Sequence, residues 1–249
     1  MRERTLAILD ELGITAHPVD TGDAPLTLWM VTQWPRPDLR HRSLLSSREI
    51  EHAGRLRTAR LRDRYIMAHA ARCVIVDAAF GIACRDQHVE LGPRGKPYLA
   101  DRYDIQFNLS YSHERFAIAV ARDTAIGIDI ERLREIEDAD ALAARHYAPS
   151  ERAALAGQPM GSDEYDRIFL SVWTRKEACL KALGRGLGDL PLDEIDCGLR
   201  TETVRMGDRQ LRTDTTLISS YLVSWAWERI GCSTGSSCER HLGMPVGIE

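Results

Sequence analysis

The run Ile126-Gly127-Ile128-Asp129-Ile130-Glu131 alternates apolar residues with a glycine and two carboxylates. In an extended chain alternate side chains share a face. The three isoleucines therefore predict a core-facing side, and Gly127, Asp129 and Glu131 the opposite one. Two carboxylates on one face make half a site for a hard cation, with the glycine leaving space beside them. Mg²⁺ takes oxygen ligands, keeps much of its water, and is held by few carboxylates plus substrate phosphates. A half-buried strand with an acidic solvent face fits the same pattern. Further along, Trp173, Glu177 and Lys181 recur every fourth residue and share one helical face. Glu177 would complete a three-carboxylate set suited to a pyrophosphate-containing substrate. A packed tryptophan followed by an i,i+4 Glu–Lys pair, contributing ~0.2–0.5 kcal/mol, also fits. Arg175 and Lys176 fall on another face and read as solvated.

The elements that must hold these residues follow from periodicity and punctuation. Residues 26–34 read as a strand broken by Pro35 and Pro37. A helical stretch runs from about Ser46 to Ala79, as one helix or two. Ser46 and Glu49 form a capping-box pattern at its start, and Gly81 is its stop. Residues 92–98 read as a turn-rich loop. Strands are expected at 105–109 and 116–121, flanking the polar stretch S-Y-S-H-E, and again at 125–131. A short helix begins near Ser150, and a longer one spans Asp163 to Leu183, closed by Gly184 and Gly186. A β-rich run covers 216–227. Strands and helices in largely hairpin-like order predict an α+β fold. The last residues, 231–249, read as a flexible tail.

A formal net charge of −4 argues against general nucleic-acid binding, which rests on many Lys and Arg contacts to phosphate. No apolar run is long enough to span a bilayer, and the charged N-terminus lacks a secretory h-region. Cys73, Cys84, Cys179, Cys197, Cys232 and Cys238 show neither a C-x-x-C pair nor a regular framework. Cys232, Cys238 and His241 lack standard zinc spacing. Reduced thiols and a cytoplasmic location are expected.

In order and together, I-G-I-D-I-E and W-T-R-K-E-A-C-L-K at 173–181 resemble the two signature regions of the 4′-phosphopantetheinyl transferases. The likeness is to the larger, monomeric type that activates peptide and polyketide synthetases. G-K-P at 95–97, F-N-L-S at 107–110 and L-P-L at 190–192 extend it over most of the chain. The resemblance implies two pseudo-two-fold-related lobes, each a small antiparallel sheet packed against helices, with the active site in the cleft between them. The lobes would cover 1–122 and 123–230. It further implies coenzyme A as co-substrate, Mg²⁺ as cofactor, and apo acyl or peptidyl carrier proteins as partners, with a monomer as the working form. Asp129, Glu131 and Glu177 would be the metal ligands. Glu177 and Lys181 would be catalytic, Lys181 also contacting coenzyme A phosphate. Lys96 and Ser110 would meet the nucleotide end with its 3′-phosphate, and Arg64 approximately matches a family arginine there.

One position departs from the family. Tyr111 stands where a histidine normally approaches the 3′-phosphate, and a phenol brings no positive charge. If the segment is extended, His113 shares the face of Tyr111 and either substitutes in part or has a surface or structural role. Weaker discrimination between coenzyme A and its 3′-dephospho form is expected, and competition kinetics would test it. Arg55, Arg57, Arg60, Arg62 and Arg64 form a basic run that either steers anionic partners or is a solvated helix face, with Arg57, Arg60 and Arg64 on one side. The implied reaction moves phosphopantetheine to a carrier serine, with Glu177 or Glu131 taking the serine proton. A Mg²⁺-dependent hydrolase of nucleotide pyrophosphates and a non-catalytic carrier- or nucleotide-binding module are the alternatives.

Overall fold

The computed structural model describes residues 1–199 and 202–228. The expected tail, with Cys232, Cys238 and His241, lies outside the described residues. The first half of the chain runs α1 (Arg2–Glu11), β1 (Thr15–Val19), β2 (Leu26–Gln33), α2 (Leu39–Arg42), α3 (Ser47–Arg55) and α4 (Ala59–Phe80). It continues through β3 (Val89–Leu91), β4 (Pro97–Leu99), β5 (Ile105–Ser112) and β6 (Arg115–Arg122). The second half holds β7 (Ile126–Arg132), α5 (Ala139–His146), α6 (Pro149–Ala156) and α7 (Asp163–Ala182), then β8 (Glu202–Met206), β9 (Arg209–Ile218) and β10 (Tyr221–Glu228).

The helices begin and end where side chains satisfy their free backbone groups. Ser46 Oγ accepts from the Glu49 amide while the Glu49 carboxylate accepts from Ser46 N, which starts α3. Thr58 Oγ1 then accepts from Leu61 N, so the long stretch is two helices with a break at 56–58. That break takes Arg57 off the helix, so it does not share a helical face with Arg60 and Arg64. Gly81 and Gly184 follow α4 and α7 at φ of 69° and 63°, the left-handed conformation that glycine adopts without strain.

Two antiparallel four-stranded sheets form, in the orders β1-β2-β6-β5 and β7-β10-β9-β8, with β3-β4 as a separate hairpin. The chain is therefore α+β, and a strand, a helix pair and a hairpin recur: β2, α3–α4, β5–β6, then β7, α6–α7, β9–β10. The inner faces of the two sheets meet. Leu28 and Met30 of β2 and Ala117, Ala119 and Ala121 of β6 pack with Ile126, Ile128 and Ile130 of β7 and Val223 and Trp225 of β10. The small alanines let the sheets approach. On the outer side of the first sheet Trp29, Val31, Phe107, Ile118 and Val120 pack against α4. On the outer side of the second, Ala178, Cys179 and Ala182 of α7 cover Val204, Leu211 and Ala226.

Gly127 has a different job from the one its sequence neighbours suggested. A Cβ there would run into the Ala178 carbonyl and the Ala182 amide. The glycine does not leave space for a cation; it lets the α7 backbone lie directly on β7.

Arg175 and Lys176 are also not solvated. Both are buried, at 1% exposure each. Arg175 Nε donates to Cys197 O at 2.9 Å and its Nη2 to Thr213 O at 3.3 Å. Lys176 Nζ donates to Leu192 O at 2.8 Å and to Ile195 O, and pairs with Glu151 at 2.8 Å. Glu151 also accepts from Ala148 N and Cys197 N, so the buried charges are compensated on every side.

Candidate active site

β7 is the edge strand of its sheet, and β5 is the edge strand of the other. The two edges abut, and side chains bridge them. Three β5 side chains accept hydrogen bonds from three alternate β7 amides. Asn108 Oδ1 takes Ile128 N at 2.8 Å, Ser110 Oγ takes Ile130 N at 3.4 Å, and Ser112 Oγ takes Arg132 N at 3.0 Å. An unpaired strand edge demands partners, and here polar side chains supply them. The other face of β5, with Phe107, Leu109 and Tyr111, packs into the α4 core.

At this seam the expected residues gather. Lys181 Nζ, on α7, lies 2.6 Å from Asp129 Oδ1 and 3.1 Å from Ser110 Oγ. Ser110 Oγ in turn donates to Asp129 Oδ1 at 2.8 Å. Glu131 Oε2 accepts from Ser112 Oγ at 3.0 Å. Lys181 thus bridges the lobes instead of forming the local pair with Glu177. Asp129 is 5% exposed, which rules out a merely acidic solvent face.

The electrostatics couple the three carboxylates. Burial first, then the Asp129 charge, pushes the Glu131 carboxyl above its usual value, against the pull of Ser112. Burial raises Glu177 as well; Lys181 pulls the other way, while Asp129 and Glu131 push with it. Among the described residues no three His, Cys, Asp or Glu side chains form a ready-made metal cluster. The ammonium of Lys181 already neutralises one oxygen of Asp129. Its other oxygen, Oδ2, is buried without a hydrogen-bond partner. This bare acceptor, with two further carboxylates nearby, fits a hard cation.

The residues assigned to the nucleotide end divide. Ser110 is engaged with Asp129 and Lys181, inside the carboxylate knot. Lys96 Nζ donates to Ala182 O at 2.9 Å and Ile126 O at 3.1 Å, a cation at the C-terminus of α7. Burial, helped by Arg209, holds Lys96 down at about 8. Arg64 stands over the Tyr111 ring at 4.9 Å, returning a positive charge to the place where the phenol brings none. Both line a cleft of about 720 Å³ with Arg48, His52, Tyr65 and Pro97. His113 does not share the Tyr111 face. The β5–β6 hairpin turns there, at φ 52°, and its carbonyl accepts from Arg64 at 3.5 Å. Of the basic run, Arg55 and Arg60 pair with Glu51 and Glu114 on the surface.

Asn108 and Ser112 escaped the sequence reading as site residues. The signal was present: polar residues at 108, 110 and 112 alternate with Leu109 and Tyr111, the mark of a two-faced strand.

Residues 125–226 match the family profile of the 4′-phosphopantetheinyl transferase superfamily. The 4′-phosphopantetheinyl transferase HetI of Nostoc is 35% identical over 158 residues, covering 62% of this chain and 65% of its own. The 4′-phosphopantetheinyl transferase Sfp of Bacillus subtilis is 34% identical over 108 residues, 43% of this chain and 46% of its own. The chain thus spans under two thirds of the length of these relatives. Among solved structures, a holo-(acyl-carrier-protein) synthase from Bacillus anthracis aligns with a TM-score of 0.36 at 21% identity, over 42% of this chain and 94% of its own.

Proposed function

We propose that the chain, a member of the 4′-phosphopantetheinyl transferase superfamily through residues 125–226, transfers 4′-phosphopantetheine from coenzyme A to a serine of an apo carrier protein, releasing adenosine 3′,5′-bisphosphate. The observation that carries this reading is the polar knot between the lobes. Lys181 and Ser110 hold one oxygen of Asp129, the other oxygen is buried and bare, and Glu131 and Glu177 feel its charge. An acceptor left bare in the interior costs about 1–3 kcal/mol, which a bound cation removes. Asp129, Glu131 and Glu177 would hold Mg²⁺, which when bound would offset the charge growing on the pyrophosphate.

The chain's own residues do the rest by positioning and charge. Glu177 accepts no hydrogen bond from any described residue and lies with Lys181 and Asp129, from where it would take the carrier serine's proton directly or through water. The serine oxygen bonds to the pantetheine-side phosphorus. The bond from that phosphorus to the bridging oxygen breaks, and its electrons leave on the bisphosphate, whose charge Lys181 meets. Arg64 and Tyr111, in the cleft beside the G-K-P loop, would receive the nucleotide end. Lys96 would join them by leaving the carbonyls it now caps. One chain would supply all these groups, which supports a monomer as the working form; a cytoplasmic location belongs to the same reading. No helix among the described residues is long and apolar enough to cross a membrane.

The test is to mix the protein with coenzyme A, Mg²⁺ and an apo carrier protein and take intact mass. A carrier heavier by one phosphopantetheine supports transfer. Coenzyme A breakdown with an unmodified carrier supports hydrolysis, and no change supports a binding module.

A further inference from the structure

We propose that Asn108, Ser110 and Ser112 form a clamp that aligns the carboxylates of β7, and that Ser112 is the positioning residue for Glu131. The inference deepens the transferase reading and rests on it for the purpose of the site.

The geometry repeats along the strand. Ser110 grips β7 at two points, the amide of Ile130 and the carboxylate of Asp129. Ser112 does the same one step on, with the amide of Arg132 at 3.0 Å and Glu131 Oε2 at 3.0 Å. Asn108 holds the amide of Ile128, beside Gly127, which has no side chain to hold. Ser110 and Ser112 therefore each meet a backbone amide and the side chain just before it, and Asn108 the amide alone. Such pairing fixes register, and register decides which face a strand's side chains occupy. A slip of one residue would turn Asp129 and Glu131 into the apolar layer now filled by Ile128 and Ile130.

The two serines differ in what else holds their carboxylates. Asp129 also has Lys181 at 2.6 Å. Glu131 accepts a hydrogen bond from Ser112 and from no other described residue. Ser112 is 5% exposed, so its hydroxyl serves internal partners and not solvent, with His113 Nδ1 as a further neighbour at 3.4 Å beside the shorter contact to Glu131. Loss of that hydroxyl leaves the Glu131 carboxylate free to rotate and repel from Asp129. Groups that orient metal ligands in this way change metal affinity by about 10–100-fold when removed.

The experiment compares Ser112→Ala with Ser112→Thr in the full chain. Two readouts are taken: exchange of the Arg132 amide by NMR, and Mn²⁺ affinity by paramagnetic titration. In the alanine variant the Arg132 amide loses protection and Mn²⁺ binds about tenfold or more weakly. Threonine, which keeps the hydroxyl and suits a strand, restores both. Faster Arg132 exchange with unchanged Mn²⁺ affinity makes Ser112 a structural residue only and overturns the proposal. Unchanged exchange in the alanine variant overturns the clamp itself. Wild-type protein that binds no Mn²⁺ contradicts the metal-site reading, whereas the exchange arm needs neither metal nor coenzyme A and decides the clamp alone.

Discussion

Asp129 shows how one side chain becomes a site. One of its oxygens is saturated by Ser110 and Lys181, and the other is bare. Asp129→Asn keeps the shape but removes the negative charge and one of the two oxygens, placing a neutral amide beside the Lys181 ammonium. Transfer should fall by about a hundredfold or more, on the scale of lost transition-state charge stabilisation, with native circular dichroism. Near-normal turnover would contradict the assignment. In sequence, periodicity placed Asp129 with Glu131 and Glu177 with Lys181 on shared faces, and the family resemblance joined the two segments into one candidate set. The partner of Lys181 was not legible, because Asp129 lies 52 residues away and the local alternative was Glu177, one turn back. Ser110 was assigned to the nucleotide end by the family resemblance; its contacts with Asp129 and Lys181 exist only once β5 and β7 abut.

At the scale of elements, α7 on β7 is the joint on which the site depends. Gly127→Ala drives a methyl group into the α7 backbone, where neither Ala178 O nor Ala182 N can yield as a side chain would. The expected loss is about 1–3 kcal/mol or more, typical of overpacking, read as a lower urea midpoint. Gly54→Ala, with nothing within 4 Å of the new methyl, is the control. Lys176→Ala should cost about 3–5 kcal/mol, since it strands the buried Glu151 carboxylate. A solvated lysine would give a change near zero. The helix itself was readable from its cap, period and glycine exit. The burial of Arg175 and Lys176 was not, because their acceptors are carbonyls at 192, 195, 197 and 213, in segments with no local link to the helix. β1 and β8, short edge strands, also escaped the pattern, as did α5.

For the whole molecule, the repeated strand–helix pair–hairpin order carries one site and not two. Inward residues of β2 and β7 correspond, Leu28 with Ile128 and Met30 with Ile130, so Trp29 and Val31 occupy the places of Asp129 and Glu131. The first lobe instead contributes the β5 side chains and a buried polar group of its own. Glu49 lies 2.7 Å from His69 Nδ1 and 3.1 Å from Arg72. Burial alone would raise Glu49, yet the His69 ring and Arg72 outweigh it and hold it at about 2, against an ordinary 4.5. Burial keeps His69 below its ordinary 6.5. The unfolded chain therefore takes up more protons, at His69 below pH 6.5 and at Glu49 below 4.5. Stability from these groups is full above those values and is lost as the pH falls, for Glu49 through about 2. Chemical denaturation between pH 7 and 3 should show the acid loss, and Glu49→Gln should flatten its lower limb. An unchanged slope in that variant would mean other carboxylates set the acid limit.

Coupled transfer is read from the stoichiometry of its two products. Adenosine 3′,5′-bisphosphate released and carrier modified are counted in one reaction by chromatography and intact mass. One bisphosphate is expected for each phosphopantetheine attached, and Asp129→Asn should lower both products together by about a hundredfold or more. Coenzyme A cleavage that outruns carrier modification, or proceeds without a carrier, would contradict coupled transfer.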